Sequence, residues 1–332
     1  MRLLFVRLSS FGDVVFALPA AKALRDSGAG TALTWVIEPG LAPLLSGAPY
    51  IDEILGADTR GWRRALLAGS TRREVGSLLA RLRKRPFDVV VDAQGLLKSA
   101  LVTAAAPAGR KVGFGWRTAT ERVNCLVTTE RVEADGRPHV LDRMLALAEH
   151  VTGRSGFDRV PDVRHLVDRP DREVDAWLAR QGSRPFALLQ PFSSRREKEW
   201  RAEELVPAAE RLSQSGLDPV LRWGPGEEVR ARELRDLSKG VLLMAPATTP
   251  ASSARLASRA RLFIGADTGP THLAAAAGTP TLALFGPTDA ARFGPVGPRS
   301  AVLASRPGDY NSGRGLGASL DAVLDQVDRL LG

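Results

Sequence analysis

Short apolar runs alternate with longer stretches whose apolar residues recur at helical spacing, from one end of the chain to the other. Residues 2–8 read as a buried strand and 12–27 as the helix after it; 31–37 and the valine-rich 87–92 are further strands. Residues 71–84 lie in a basic stretch, yet Val75, Leu78, Leu79 and Leu82 share one face, so a helix is still predicted there. The pattern restarts in the second half. Strands are expected at 186–190, 219–223, 240–244, 261–265 and 281–285, with helices between them such as 201–213 and 227–237. Alternating strands and helices predict a parallel sheet covered on both faces. The expected fold is α/β: two doubly wound, Rossmann-like domains facing a central cleft, with ligands beyond the carboxyl ends of the strands. The polar, proline-bearing VDRPDRE sets the boundary near 166–173, giving domains 1–166 and 167–315. An amphipathic helix within 316–332 is expected to pack back on the first domain.

The length of 332 residues fits two cores better than one. Lysine and arginine number 46 against 37 acids, a formal charge of +9, which fits nucleic acid, an anionic membrane surface, a phosphorylated substrate or a bias toward arginine codons. No RNA-binding signature or zinc-finger spacing appears, so nucleic acid is not an expected partner. The basic residues are dispersed apart from 60–73 and 81–85. No run reaches the roughly 18 apolar residues of a membrane span; the nearest, 273–285, is broken by Gly278 and Pro280. Arg7 interrupts the first apolar run, which reads as a strand entering a turn and not as a signal peptide. The single cysteine, Cys125, excludes an intrachain disulfide and reads as a small buried hydrophobe.

Four polar turns follow predicted strands. In the first, Ser9-Ser10-Phe11-Gly12-Asp13, small residues at a strand-to-helix turn suit close approach of a ligand. Asp13 there is either a helix cap or an ionised general base, its charge favoured by the helix dipole. The second runs from Asp92 through Gln94 to Lys98 and Ser99, and reads equally as a capped turn or as a ligand edge. In the third, Ser193 and Ser194 precede Arg195, Arg196 and Lys198, a set that suits a diphosphate or an exposed basic loop. The fourth, Asp267-Thr268-Gly269-Pro270-Thr271-His272, opens a helix and is a candidate anion site, although His272 equally reads as a packed helix residue. No acidic metal cluster accompanies these turns, so no metal or other cofactor is expected.

SSFGDVVFALPA, VDAQGLLKSALV and ADTGPTHLAAAAGTPTLALFGPTD, with WVIEPG, SSRREKEW and WGPGEE between them, resemble the ADP-heptose:lipopolysaccharide heptosyltransferases of glycosyltransferase family 9. The resemblance spans almost the whole chain and is greatest to the type I branch. It implies the GT-B fold and an inverting, metal-independent transferase. It also implies that heptose moves from ADP-L-glycero-β-D-manno-heptose to the Kdo of a lipid A inner-core precursor, on the cytoplasmic face of the inner membrane. By the same resemblance Asp13 is the base, Lys198 steadies the leaving diphosphate, and Ser193 and Ser194 bind phosphate. Asp267, Thr268, Gly269 and His272 fall on the donor loop. Glu228 holds the ribose, with Glu227 as its alternative. Ser10, Gly12, Gln94, Lys98 and the basic Arg60, Arg63 and Arg64 fall on the acceptor side. Arg7 stands where a relative has lysine, keeping charge but not geometry. The alternatives are a heptosyltransferase II or a transferase of another nucleotide sugar and, from other classes, a GT-B-like epimerase or hydrolase, or a non-catalytic nucleotide-sugar sensor.

Overall fold

The computed structural model describes residues 1–28, 30–65, 67–305 and 319–332. The chain divides into two compact units, Met1–Pro161 and Asp162–Gly332.

In the first unit the order is β1 (Arg2–Val6), α1 (Phe11–Arg25), β2 (Ala32–Ile37), β3 (Glu53–Gly56), α2 (Thr59–Arg64) and α3 (Gly69–Arg83). It continues through β4 (Phe87–Asp92), α4 (Leu97–Ala105), β5 (Ala108–Phe114), β6 (Glu130–Val132) and α5 (Val140–Thr152). The six strands form one parallel sheet in the order β3-β2-β1-β4-β5-β6. Phe5 of β1 stands opposite Trp35 of β2 and Val91 of β4. Leu3, Leu4, Phe5 and Val6 are fully buried, as expected of a parallel strand covered on both faces. Trp35 stacks edge-on to Phe5 at 4.6 Å, a contact worth about 0.5–1.5 kcal/mol beyond its burial. Its indole N–H donates to the Arg7 carbonyl at 2.9 Å, so core packing reaches directly into the first polar turn.

In the second unit the order is α6 (Arg164–Val167), α7 (Arg172–Gln181), β7 (Phe186–Gln190), α8 (Ala202–Gln214), β8 (Asp218–Leu221), α9 (Glu228–Leu237), β9 (Leu243–Met244) and α10 (Pro250–Arg259). Then come β10 (Leu262–Ala266), α11 (Gly269–Ala276), β11 (Thr281–Phe285), α12 (Ala290–Phe293), β12 (Ser300–Ala304) and α13 (Leu320–Leu331). Its parallel sheet runs β12-β11-β10-β7-β8-β9, the same winding as the first. The pleat divides the core. Ala187, Leu189, Ile264 and Leu282 join one cluster; Phe186, Leu188, Val220 and Phe263 join the other.

One sequence expectation changes. The boundary falls before α6, because that helix packs on α10 and Arg255 ties it to the second unit, donating to Val167 O at 3.1 Å. The last helix packs on α8, β11 and β12 of its own unit. Val323 and Val327, one turn apart, join the cluster containing Leu205 and Leu212. The first residues expected in that helix, 316–318, lie outside the described residues. No helix among the described residues is long and apolar enough to cross a membrane.

Candidate active site

In each sheet the winding reverses beside its first strand: between β1 and β4 in one unit, between β7 and β10 in the other. Connections leave that point in opposite directions and open a crevice at the carboxyl ends of the strands. The turns after β1 and β4 carry the first two motifs, and the turns after β7 and β10 carry the last two.

After β1 the chain turns at Ser10, the N-cap of α1, with Gly12 and Asp13 in the first helical turn. Asp13 Oδ2 accepts from Ser10 N at 3.0 Å and from Ser10 Oγ at 2.7 Å, while Oδ1 pairs with Arg7 Nη2 at 2.9 Å. Burial works against the ionised form, but the Arg7 charge and the Ser10 hydrogen bonds outweigh it, holding the carboxyl below its ordinary value. Asp13 thus closes the helix start and is held as a carboxylate. Arg7 is buried and donates from Nη1 to Ala93 O at 2.6 Å, joining the turn after β1 to the turn after β4.

Gln94 makes the same junction from the other side. Its Oε1 accepts from Leu8 N at 2.9 Å and Ser9 N at 3.1 Å, a structural task that its expected acceptor role did not include. Beneath it the fully buried Asp92 accepts from Gln94 N, Gly95 N, Thr103 Oγ1 and Asn124 Nδ2. Lys98, on the first turn of α4, donates to Ser9 Oγ at 2.6 Å. Burial lowers its pKa; Arg60 and Arg7 add to the depression, while Glu38 and Asp13 oppose it. Glu38, buried at the end of β2, accepts from the Thr59 hydroxyl, and its own N–H donates to Leu8 O. Arg60, Arg63 and Arg64 are exposed on α2, and among the described residues no carboxylate lies within ion-pair distance of any of them. Trp62 between them is partly buried against the core, with its N–H on Glu74 at 2.8 Å.

In the second unit Lys198 ends a short 3-10 turn after β7 and pairs with Asp267 Oδ2 at 2.7 Å. His272 Nε2 lies 3.2 Å from the other oxygen of Asp267. Burial raises the Asp267 pKa, but His272 and Lys198 together outweigh it and set it at about 2. Thr268 is the N-cap of α11 and Gly269 its first residue. Ser193 N donates to Glu199 Oε1 at 3.3 Å, and Ser194 is exposed beside it. Glu228 opens α9 and pairs with Arg232 one turn on, half in solvent. Glu227 instead accepts from Gly224 N at 2.6 Å and closes its own loop, leaving Glu228 the more available carboxylate.

The motif reading missed Arg7 as the partner of Asp13, Glu38, Asn124, and the pair Arg230–Glu199, whose bidentate contacts are 3.0 and 2.6 Å. It also missed Arg222, buried at the end of β8 with Gln190 and Ser253 as partners and its pKa lowered by burial to about 10. Of these, Arg7, Glu38 and Arg222 each follow directly on a strand, where a search for polar residues closing apolar runs finds them.

Residues 75–312 match the model of glycosyltransferase family 9 (heptosyltransferase). The chain is 30% identical over 306 residues to lipopolysaccharide heptosyltransferase 1 of Pseudomonas aeruginosa, covering 92% of this chain and 84% of that one. To the protein of the same name from Escherichia coli K12 it is 28% identical over 310 residues, covering 91% and 93%. Among solved structures it is similar to E. coli heptosyltransferase WaaC with ADP, at a TM-score of 0.86 and 28% identity over 99% of this chain and 100% of that one. The same enzyme with ADP-2-deoxy-2-fluoro heptose gives 0.83 and 27%, covering 99% of each chain. The sequence and both winding patterns agree: the chain belongs to glycosyltransferase family 9, the heptosyltransferases, and has their GT-B fold.

Proposed function

We propose that this enzyme transfers heptose from ADP-L-glycero-β-D-manno-heptose to the Kdo of a lipid A inner-core precursor, inverting the anomeric carbon. The observation that carries the reading is the pair of switch-point sites. One holds an ionised carboxylate in reach of solvent, Asp13, and the other a half-buried ammonium, Lys198.

A carboxylate has about four lone-pair sites. Asp13 commits three, to Arg7 and twice to Ser10, which leaves room for one acceptor hydroxyl. The hydroxyl oxygen forms its bond to the anomeric carbon while its proton passes to Asp13. The bond from that carbon to the β-phosphate oxygen breaks, and ADP leaves from the opposite face. A base with a depressed pKa takes the proton late, once the attacking oxygen has begun to bond. Lys198 has three N–H donors with one on Asp267, so the others are available to the diphosphate as charge grows on it. Ser193, Ser194, Thr268, Gly269 and the start of α11 complete the phosphate site, and Glu228 takes the ribose hydroxyls. Lys98, Ser10, Gly12 and Gln94 line the acceptor side, and Arg60, Arg63 and Arg64 meet its phosphates at the cytoplasmic face of an anionic membrane.

The test is turnover of ADP-heptose with de-acylated Kdo-lipid A, with the mass of the product measured. A product heavier by one heptose supports the reading. ADP release without acceptor would make the protein a hydrolase, and transfer only to an already heptosylated core would place it in the type II branch.

A further inference from the structure

The outward face of α4 is apolar. Leu97, Leu101 and Ala104, spaced one turn apart, are exposed, and Lys98 is the only charged residue on the helix. The 3-10 helix Arg122–Leu126 lies against α4, held by Asn124 Nδ2 on Leu96 O and Ser99 Oγ and by Leu97 N on Glu121. It adds exposed Val123 and Leu126. Trp116 borders them through Arg131, which covers its ring at 5.6 Å and donates to Cys125 O. Leu101 and Leu126 are 66% and 69% exposed, an unusual state for two leucines on adjacent elements.

The rim is basic. Lys98 lies at one end and Lys111, bound to Ala104 O at 3.2 Å, at the other; Arg122 is exposed beside Val123 with no carboxylate in ion-pair range among the described residues. Of the neighbouring acids, Glu133 and Asp135 pair with Arg117, and Glu121, which accepts from Leu97 N, is outnumbered by Lys98, Lys111 and Arg122. A second copy docked here about a two-fold axis would set Lys98, Lys111 and Arg122 of both chains against one another. An anionic bilayer presents the opposite charge to the same rim and an acyl region to the leucines.

We infer that the face formed by Leu97, Leu101, Val123 and Leu126 seats this unit on an anionic lipid bilayer, with the leucines in the headgroup–acyl boundary. Lys98 shares α4 with Leu97 and Leu101 and contacts Ser9, so seating the face brings the β1–β4 crevice to the bilayer surface. The inference rests on the proposed function in one respect: the acceptor is a membrane lipid.

The experiment is co-sedimentation of the whole protein with phosphatidylglycerol–phosphatidylethanolamine vesicles and with phosphatidylcholine vesicles. Beside it runs the double variant Leu101→Ser, Leu126→Ser, whose side chains leave the core untouched. The wild type is expected to partition onto the anionic vesicles, and the double variant about tenfold less or weaker. Both should act equally on the de-acylated acceptor, while the variant is slower on acceptor carried in vesicles. Equal partitioning of the two proteins would overturn the inference, as would wild type that ignores anionic vesicles. A concentration-dependent dimer that the substitutions dissolve would assign the face to a second copy instead. If neither acceptor is glycosylated the proposed function fails, and vesicle partitioning still decides the surface.

Discussion

The two switch points are built alike and charged in opposite senses. In the first unit the cation is the buried support, with the Arg7 side chain 7% exposed, and the anion faces outward, with Asp13 at 21%. In the second the anion is the support, with Asp267 at 7%, and the outward group is the cation, Lys198 at 14%. One winding pattern thus turns an anion outward in one place and a cation outward in the other. The choice lies in which member of the ion pair sits deeper. Pairing also limits the cost of burial, since the inner charge is never left alone.

The largest expected effect comes from removing the outward anion. Asp13→Ala should lower kcat about 10²–10⁴-fold while calorimetry finds ADP affinity nearly unchanged. Asp13→Asn, which keeps the shape at the helix start, should be nearly as slow. Near-normal turnover in either folded variant would reduce Asp13 to a helix cap. Removing the outward cation should be milder and should act on binding. Lys198→Ala is expected to weaken ADP and to slow transfer by about 10–100-fold, the worth of a hydrogen bond to a charged group; unchanged ADP affinity together with unchanged turnover contradicts the assignment.

Charge reversal at Arg60, Arg63 and Arg64 to glutamate should raise the acceptor KM about tenfold at low salt, fade as salt screens the surface, and spare the donor KM. An equal loss for both substrates would leave these arginines as a solvated face. The inner anion offers a stability test. The Asp267 pKa of about 2 lies below its ordinary value, so the stabilisation is present above about pH 4 and lost as pH falls toward 2. Its size is about 2 kcal/mol, and Asp267→Asn should flatten that acid limb in thermal melts. The smallest expected effect is none. Turnover should persist in EDTA, because among the described residues no three histidine, cysteine or acidic side chains gather to hold a metal. Loss on chelation, restored by magnesium, would move leaving-group stabilisation away from Lys198.

Strands buried on both faces were the easiest to read. FALLQ and TLALF, with Phe87–Asp92, fall where their apolar runs place them. The edge strands β3, β6 and β12, and β5 beside β6, escaped notice. β5 carries Arg110 and Lys111, whose outward side chains break the apolar pattern while the backbone still pairs with β4. The strand expected at 240–244 is present but short, as β9, paired through Leu243 and Met244 with Val220 and Leu221. Asp13, Lys198 and Asp267 stood out because small polar residues interrupt strand and helix patterns at those turns. The tasks of Arg7 and Glu199 did not, because one partner of each is remote in sequence: Arg7 reaches Ala93, and Glu199 is reached by Arg230. The C-terminal helix showed an apolar face in its spacing, but spacing names no partner; Val323 and Val327 join the core of their own unit.

Cys125 gives the molecule a built-in reporter. It is the only thiol in the chain, fully buried within the 3-10 helix Arg122–Leu126, and burial pushes its pKa up. A maleimide or a disulfide reagent therefore has a single target and reaches it only when the segment around Arg122–Leu126 opens. The rate of labelling measures that opening free energy in the first unit alone, since the second unit contributes no signal. Followed in the presence of ADP or of vesicles, the same rate tells which of them steadies this unit, without an engineered probe.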